Sequence, residues 1–113
     1  MRTFRSERVA SLIHKEMGNF LLREITPPEG TMITISGVEV SGDLSSAEIG
    51  ISVLPESERE EVFNMLKKEQ GRLQFLLNRK INIKPMPRIN FVLDEGSEKA
   101  ARIEKILLDE DNK

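Results

Sequence analysis

The strictly alternating segment from Ala47 to Val53 constrains the fold more than any other part of the chain. Apolar residues occupy every second position of this segment: Ala47, Ile49, Ile51 and Val53. The residues between them are polar or glycine. Because successive side chains of a β-strand point to opposite faces of a sheet, this period of two predicts a strand with one buried and one wet face.

The segment from Met32 to Val40 predicts a partner strand. Its apolar residues change parity in the middle of the segment: Ile33 and Ile35 come before the change, Val38 and Val40 after it. One extra residue would keep all four on the same face, and a β-bulge at Gly37 supplies it. A short turn at Ser41-Gly42-Asp43 then predicts that the two strands form an antiparallel hairpin.

Segments of helical periodicity lie on either side of the hairpin. Ser6 is the predicted N-cap of the first helix, which ends before the two prolines that follow Thr26. Ser57 is the predicted cap of a second helical stretch that continues to about Arg79. Because a glycine inside a helix costs about 1 kcal/mol relative to alanine, Gly71 predicts either a kink or a close approach to its backbone.

The remaining segments complete an α+β fold. Alternation from Arg88 to Asp94 predicts a third strand, and a last helix is predicted from Glu98 to Leu108. The predicted order is α-β-β-α-kink-α-β with a C-terminal helix, and the three-stranded sheet packs on the helices. The 113 residues suffice for one domain, which we assign to residues 1–108, and the acidic tail 109–113 is expected to fray.

Composition excludes several functional classes. The chain contains no cysteine, so disulfide scaffolds, thiolate zinc sites and cysteine nucleophiles are excluded. Its apolar runs are far shorter than the roughly 20 residues of a membrane span, and its start resembles no secretory signal. We therefore expect a soluble, cytoplasmic protein without membrane contact. His14 accompanies no catalytic motif, so the sequence predicts no enzyme, no metal and no cofactor.

Basic residues are concentrated between Lys67 and Arg88, which we call the basic segment. It holds seven Lys or Arg against one acid, Glu69, in a chain of net charge -2. On a helix, Lys68, Arg72 and Arg79 fall within about 40° of one another, with Phe75 beside them. The surface of a helix is often basic without a ligand, but this local excess in an acidic chain favours contact with nucleic-acid phosphates.

Short strings over nearly the whole chain match those of a known family in order and spacing. They are Arg5-Ser-Glu-Arg-Val-Ala10, Glu24-Ile25, Val38-Glu-Val-Ser-Gly-Asp-Leu-Ser45 leading into Ala47 and Val53, Arg79, Pro87, Phe91-Val-Leu-Asp94 and Ala101-Arg102-Ile103. Through them the chain resembles ribosome-binding factor A, a bacterial small-subunit assembly factor. The resemblance implies a KH-like fold of type II, in which a bent helix pair with an Ala-x-Gly kink replaces the Gly-x-x-Gly loop. Here the kink reads Glu69-Gln70-Gly71, so glutamate stands at the alanine position.

The resemblance also implies a function without catalysis. Members of the family bind the immature small (30S) ribosomal subunit, promote maturation of its rRNA and leave before translation. The implied partner is therefore the small subunit and its rRNA, bound by a chain that is a monomer when free. The predicted RNA-binding residues are Lys67, Lys68, Gly71, Arg72, Phe75, Arg79, Lys80, Lys84 and Arg88, with Arg5 and Arg8 as additional contacts.

A protein-interaction module is the alternative reading of the sequence. No basic residue occurs from Thr26 to Ser57, and the hairpin carries Glu39, Asp43 and Glu48. These acids could dock a basic partner. The two hypotheses differ in salt dependence, because binding to phosphates weakens with salt by a log-log slope of about -0.7 to -0.9 per neutralised phosphate.

Overall fold

The computed structural model describes residues 3–94, which form two helices on one face of a three-stranded sheet. The elements are α1 (Phe4–Glu24), β1 (Met32–Val40), β2 (Ser46–Leu54), a 3-10 turn (Glu56–Glu58), α2 (Arg59–Lys80) and β3 (Arg88–Leu93). Helix α1 packs on β1, and α2 packs on β3. The α+β class and the order of these elements are as the sequence predicts, whereas the predicted helix 98–108 and the tail 109–113 lie outside the described residues.

The sheet has the strand order β1-β2-β3 and mixed direction. Strands β1 and β2 are antiparallel, which confirms the predicted hairpin, and β2 and β3 are parallel. Parallel neighbours cannot be joined by a tight turn, so the chain must cross over between them. Helix α2 makes this crossover, and a hydrogen bond from Gln74 to the Pro87 carbonyl places its C-terminal half beside the start of β3.

The β-bulge predicted from the change of parity is present in β1. Ile35 lies opposite Ile51 and Gly37 lies opposite Gly50, so Ser36 is the extra residue. A Cβ on Gly50 would lie 2.5 Å from the Ser36 hydroxyl oxygen. Glycine at position 50 therefore leaves room for the side chain of the bulge. The four apolar residues of β1 all pack against the core as predicted: Ile33, Ile35, Val38 and Val40.

The core fills the space between the helices and the covered face of the sheet. Its fully buried side chains include rows from both helices and from two of the three strands: Ile13 and Met17 of α1, Ile49 and Ile51 of β2, Leu66, Leu73 and Leu77 of α2, and Ile89 and Phe91 of β3. Burial of apolar surface contributes roughly 25 cal/mol per Å², so these rows stabilise both helices against the sheet. The opposite face of the sheet carries exposed polar residues such as Glu39, Glu48 and Asn90.

The predicted helix caps are wrong at both helices. The N-cap of α1 is Thr3, whose hydroxyl accepts a hydrogen bond from the Ser6 backbone N–H at 3.0 Å. Ser6 completes a capping box, because its hydroxyl oxygen accepts from the Thr3 backbone N–H at 2.8 Å. Ser57 lies inside the 3-10 turn instead of capping α2, and Glu58 is the residue that precedes the helix.

Helix α2 continues through Gly71 as a single helix of 22 residues, where the sequence predicts two helices joined at a kink. Among residues 3–94, no atom outside the helix backbone would lie within 4 Å of a Cβ at Gly71, so no close approach by this part of the chain requires the glycine either. The physical reason is that Leu66 and Leu73 anchor the helix on both sides of Gly71 and are completely buried. Their burial outweighs the cost of one helical glycine.

Replacement of Gly71 by alanine is therefore expected to stabilise the protein. Because Gly71 lies in a regular helix with open space around it, Gly71→Ala should raise the free energy of unfolding by roughly 0.5–1 kcal/mol. Gly71→Pro should lower it by about 3 kcal/mol or more, because proline removes a helical hydrogen bond. Chemical denaturation of the two variants measures both changes, and a destabilised Gly71→Ala would show that this residue is not regularly helical.

Candidate nucleic-acid interface

The nine residues predicted from the basic segment are all exposed, and we call them the basic surface: Lys67, Lys68, Gly71, Arg72, Phe75, Arg79, Lys80, Lys84 and Arg88. Seven belong to α2, Lys84 lies in the loop that follows, and Arg88 begins β3. Leu66, Leu73 and Leu77 are buried on the opposite side of the helix. The structure thus presents a cationic strip that runs from α2 to the first residue of β3.

Two phenylalanines near this strip make cation–π contacts with its cations. Phe75 is 57% exposed, and the Arg79 guanidinium lies 5.7 Å from its ring centroid. The Lys67 ammonium lies 5.8 Å from the ring of Phe63 and donates a hydrogen bond to Asn90 Oδ1 at 2.9 Å. Cation–π contacts of this kind contribute roughly 0.5–1 kcal/mol at exposed sites, so they orient Arg79 and Lys67 without removing their charge.

Arg72 differs from the other cations because two carboxylates hold it. Its Nε donates to Glu69 Oε2 at 2.6 Å, and its Nη1 donates to Glu24 Oε1. Nη2 also donates to the Glu24 backbone carbonyl at 3.3 Å. The hydrogen bonds to Glu69 and Glu24 raise the pKa of Arg72 above its ordinary value. Arg72 therefore fastens the end of α1 to α2, and its charge is already balanced.

Arg72→Ala is expected to destabilise the protein because it removes the contact between α1 and α2. The side chain of Arg72 is 44% exposed, so solvent screens its ion pairs and its loss should lower the free energy of unfolding only slightly. Glu24→Gln should lower it by a similar amount, because it weakens the same contact between the helices. Thermal melts of both variants and of Lys84→Ala as a control measure this, and equal melting temperatures for all three would contradict the fastening role.

Four cations of the basic surface have no acidic partner within residues 3–94, where no ion pair holds Lys68, Lys80, Lys84 or Arg88. Each of these side chains is exposed, so each can reach an anion without breaking an ion pair inside this part of the protein. Lysine and arginine bind phosphate oxygens through charge-assisted hydrogen bonds. The arrangement therefore provides several adjacent contacts for a polyanion.

Sequence reasoning missed Gln74, which fixes the geometry of this surface. Its Oε1 accepts the Ile89 backbone N–H at 2.8 Å, and its Nε2 donates to the Pro87 carbonyl at 3.1 Å. The same Nε2 also donates to Asn78 Oδ1 at 3.0 Å. Gln74 thereby ties α2 to the start of β3 and sets the position of Arg88 relative to the helix. The only sequence signal that could have identified Gln74 is its position on α2 between the buried leucines and the exposed cations.

Arg5 and Arg8 are exposed in the first turns of α1. Arg72 contacts Glu24 at the other end of this helix. With a rise of 1.5 Å per residue, Arg8 and Glu24 are separated by about 24 Å along the helix axis. The structure therefore does not bring the two additional arginines to the Arg72 contact.

One acid of the hairpin lies close to the basic surface, because Glu48 is the strand partner of Asn90, which accepts a hydrogen bond from Lys67. Glu39 and Glu48 face each other directly across β1 and β2. Asp43 Oδ1 accepts hydrogen bonds from the Ser45 hydroxyl at 2.7 Å, the Ser41 hydroxyl at 2.8 Å and the Ser45 backbone N–H at 3.0 Å. These bonds, those of Ser45 above all, lower the pKa of Asp43 to about 2. Asp43 thus serves the turn of the hairpin.

The described residues contain no group of three or more His, Asp or Glu that could hold a metal ion. His14 is exposed on α1 and lines an apolar groove of about 480 Å³ between α1 and β1, where Leu22 is 84% exposed.

Neither helix of residues 3–94 is long and apolar enough to cross a membrane.

Comparison with known proteins identifies relatives that match nearly the whole sequence. The profile of the family described as ribosome-binding factor A matches residues 5–107. Ribosome-binding factor A of Desulforamulus reducens is 38% identical over 104 residues, which cover 91% of this chain and 87% of the relative. The protein of the same name from Halothermothrix orenii is 34% identical over 108 residues, which cover 95% and 88% of the two chains.

Solved structures share the fold at lower identity. The crystal structure of ribosome-binding factor A from Thermus thermophilus aligns with a TM-score of 0.57 at 19% identity and covers 78% of this chain and 90% of that one. A solution structure of a Thermotoga maritima protein described as a ribosome-binding factor A gives a TM-score of 0.60 at 23% identity, with 87% and 94% coverage.

A homology model of the Thermus thermophilus protein, fitted into the cryo-EM map of a complex with the 30S subunit, gives a TM-score of 0.63 at 19% identity and covers 85% and 98% of the two chains. These neighbours confirm the KH-like α+β fold predicted for this chain. The family profile and the two sequence relatives confirm the predicted family. The chain belongs to the ribosome-binding factor A family.

Proposed function

We propose that this chain is a ribosome assembly factor that binds the immature small ribosomal subunit and promotes maturation of its rRNA in the cytoplasm. Membership of the ribosome-binding factor A family supports this function, as does the complex of the Thermus thermophilus relative with the 30S subunit. The role is that of a binding protein, which acts without catalysing a reaction. As one domain over residues 1–108 it binds as a monomer.

The observation that carries the proposal is the row of cations on the basic surface that have no acidic partner within residues 3–94. Lys68, Lys84 and Arg88 stand on three successive parts of the fold, namely α2, the following loop and β3. Because Gln74 fixes α2 to β3, these charges are held in one arrangement before any ligand arrives. Preorganised cations suit the phosphates of folded RNA, which is recognised by shape and backbone.

The small number of aromatic side chains on this surface supports the same conclusion. Phe75 is the aromatic residue exposed among these cations, whereas recognition of single strands usually requires several stacking platforms. A surface with many cations and one aromatic ring fits contacts to phosphates better. Lys80, Lys84 and Arg88 are the proposed phosphate contacts, and Arg79 with Phe75 is the proposed contact to an unpaired base or sugar.

The structure gives less support to docking of a basic protein through the hairpin. Asp43 uses one carboxylate oxygen for three hydrogen bonds inside its own turn. Glu39 and Glu48 are directly opposite each other, and Glu39 already makes an interaction within the chain. RNA binding through the basic surface is therefore the function that the geometry supports best.

Sedimentation through a sucrose gradient tests the proposed function. Tagged protein is added to a cell extract of a bacterium that lacks its own homologue, and its distribution between free small subunits and complete ribosomes is measured. We expect recovery with small subunits and little with complete ribosomes. Equal recovery in both fractions, or recovery in neither, would contradict the proposal.

A further inference from the structure

The apolar groove between α1 and β1 lies on the side of the sheet remote from β3 and from the basic surface. Among the described residues that line it, His14 is the one ionisable side chain. Leu22 and Met32 belong to the lining and are both largely exposed. Because burial of apolar surface is favourable and burial of charge is costly, the groove fits an apolar occupant and not a polyanion.

Two features of the groove indicate that something covers it. Within residues 3–94 β1 is an edge strand, and its residues 32–35 all line the groove. Natural proteins cover such edges with a helix or a loop, because the unpaired backbone groups would otherwise pair with another chain. Thr31 also lines the groove, and its hydroxyl oxygen is buried without a hydrogen-bond partner within residues 3–94. Buried hydroxyls are usually hydrogen-bonded, so we expect the partner to come from outside this range.

The sequence beyond Asp94 contains a segment with the pattern of an apolar occupant. At 100° per residue, four apolar residues of segment 98–108 fall within about 120° of one another: Ala100, Ile103, Ile106 and Leu107. Four charged residues fall outside this arc: Glu98, Arg102, Glu104 and Lys105. The pattern predicts an amphipathic helix, which needs a surface against which to bury its apolar side.

The end of β3 lies within reach of the groove. The Asp94 backbone N–H donates to the Ile51 carbonyl at 2.7 Å, and Ile51 lies opposite Ile35 of the groove lining. Neighbouring strands are about 4.8 Å apart, so Asp94 is about 10 Å from Ile35 across the sheet. Residues 95–97 can extend over about 10 Å. They therefore allow a following helix to begin beside β1.

The direction and the length of the segment also fit. Strand β3 is parallel to β2 and β2 is antiparallel to β1, so the chain leaves β3 toward the end of the sheet where β1 begins. A helix over 98–108 would be about 16 Å long at 1.5 Å per residue. The part of α1 from His14 to Leu22, which lines the groove, extends over about 12 Å.

We infer that residues 98–108 pack as an amphipathic helix into the groove between α1 and β1 of the same chain. The apolar side of the segment buries Leu22 and Met32 and covers the edge of β1. A short tether gives the segment an effective concentration on the order of millimolar at its own groove, which favours it over a second copy of the chain. This contact does not involve the basic surface and is independent of RNA binding.

NMR spectra of the full chain with a paramagnetic label test the docking. The chain has no cysteine, so one introduced cysteine carries the nitroxide, which broadens the signals of nuclei near it. Ser11→Cys places the label three residues before His14 and so on the same side of α1. Asn82→Cys, in the loop after α2, is the control, and both positions are exposed and uncharged. We expect the backbone N–H signals of residues 98–108 to lose most of their intensity with the label at position 11 and to keep it with the label at position 82.

Substitutions on both sides of the contact show whether the groove itself holds the segment. With the label at position 11, Ile103→Asp should restore the signals, whereas Lys105→Asp, on the charged side of the segment, should not. Leu22→Asp should restore them from the groove side. Its matched control is Asn19→Asp, an exposed residue of α1 outside the groove lining, which should leave the loss of intensity unchanged.

Three results overturn the docking: full intensity of residues 98–108 with the label at position 11, equal losses from both labels, and a loss that survives Ile103→Asp and Leu22→Asp. A mixed sample distinguishes a second copy as the occupant. In it, isotope-labelled chains without nitroxide are combined with unlabelled chains that carry nitroxide at position 11. We expect the signals of residues 98–108 to keep their intensity there, and a loss in the mixed sample would show that the segment binds another copy instead.

Discussion

Phe91→Ala is expected to lower the free energy of unfolding by about 3–5 kcal/mol. Phe91 is 1% exposed in the middle of the core face of β3, so alanine there removes a large apolar side chain and leaves a cavity. Small domains are stable by only about 5–15 kcal/mol, so this variant should lie near the limit of folding. Denaturation with urea, followed by circular dichroism, measures the change.

Phe75→Ala is the matched control, because it removes the same atoms from an exposed position. Phe75 is 57% exposed, so its loss should change the free energy of unfolding by about 0.5 kcal/mol or less. Phe91→Leu, which keeps most of the volume, should be milder than Phe91→Ala. If Phe75→Ala destabilised the protein as much as Phe91→Ala, the assignment of Phe75 to the surface would be wrong.

Replacing Lys68, Lys84 and Arg88 together by alanine should weaken binding to small subunits by an order of magnitude or more. If each side chain contacts one phosphate, the slope of log affinity against log salt should become shallower by about 2 to 3. The melting temperature should change little, because these exposed charges have no ion-pair partner within residues 3–94. Filter binding at several salt concentrations measures the affinity and the slope together.

The comparison variant removes two acids of the hairpin. Glu39→Gln with Glu48→Gln should leave binding unchanged or strengthen it, because both acids lie on the open face of the sheet and repel phosphate. Asp43 is left intact because its carboxylate holds the turn. If the acids proved essential for binding and the cations dispensable, the result would contradict RNA binding and favour docking of a basic protein.

The sequence predicts the sheet well because strand pairing leaves a local signature. Alternation identifies β2, and the change of parity in β1 requires the bulge that Ser36 forms. Both features depend on neighbours within one strand. Burial on a single face forces the chain to keep its apolar side chains inward, so this pattern is readable without the structure.

Long-range pairing is what the sequence does not reveal. Arg72 belongs to the cationic helix face by spacing, yet Glu24, 48 residues earlier in the chain, lies against it in the fold. Similarly, Gln74 is an ordinary polar residue of α2 until β3 supplies the backbone groups that it binds. The cations available for a ligand are therefore a subset of those predicted.

Helix α2 shows how tertiary packing overrides a local preference. Gly71 weakens the helix by about 1 kcal/mol, which predicts either a kink or a close approach to its backbone. Leu66 and Leu73 on either side of it are fully buried against the sheet and keep the helix continuous. The cap of α1 is hard to predict for a similar reason, since Thr3 and Ser6 are both suitable residues and only their mutual hydrogen bonds show which begins the helix.

Tethered hydroxyl-radical cleavage of rRNA tests most directly whether the basic surface faces RNA. The chain has no cysteine, so one substitution creates a unique attachment point for an iron chelate. Asn82→Cys places the probe in the loop beside Lys80 and Lys84, and Thr34→Cys places it on β1 at the far side of the sheet. Both positions are exposed and uncharged. In complexes with small subunits, we predict strong local cleavage from position 82 and weak cleavage from position 34, whereas equal cleavage from both, or stronger cleavage from position 34, would contradict the account.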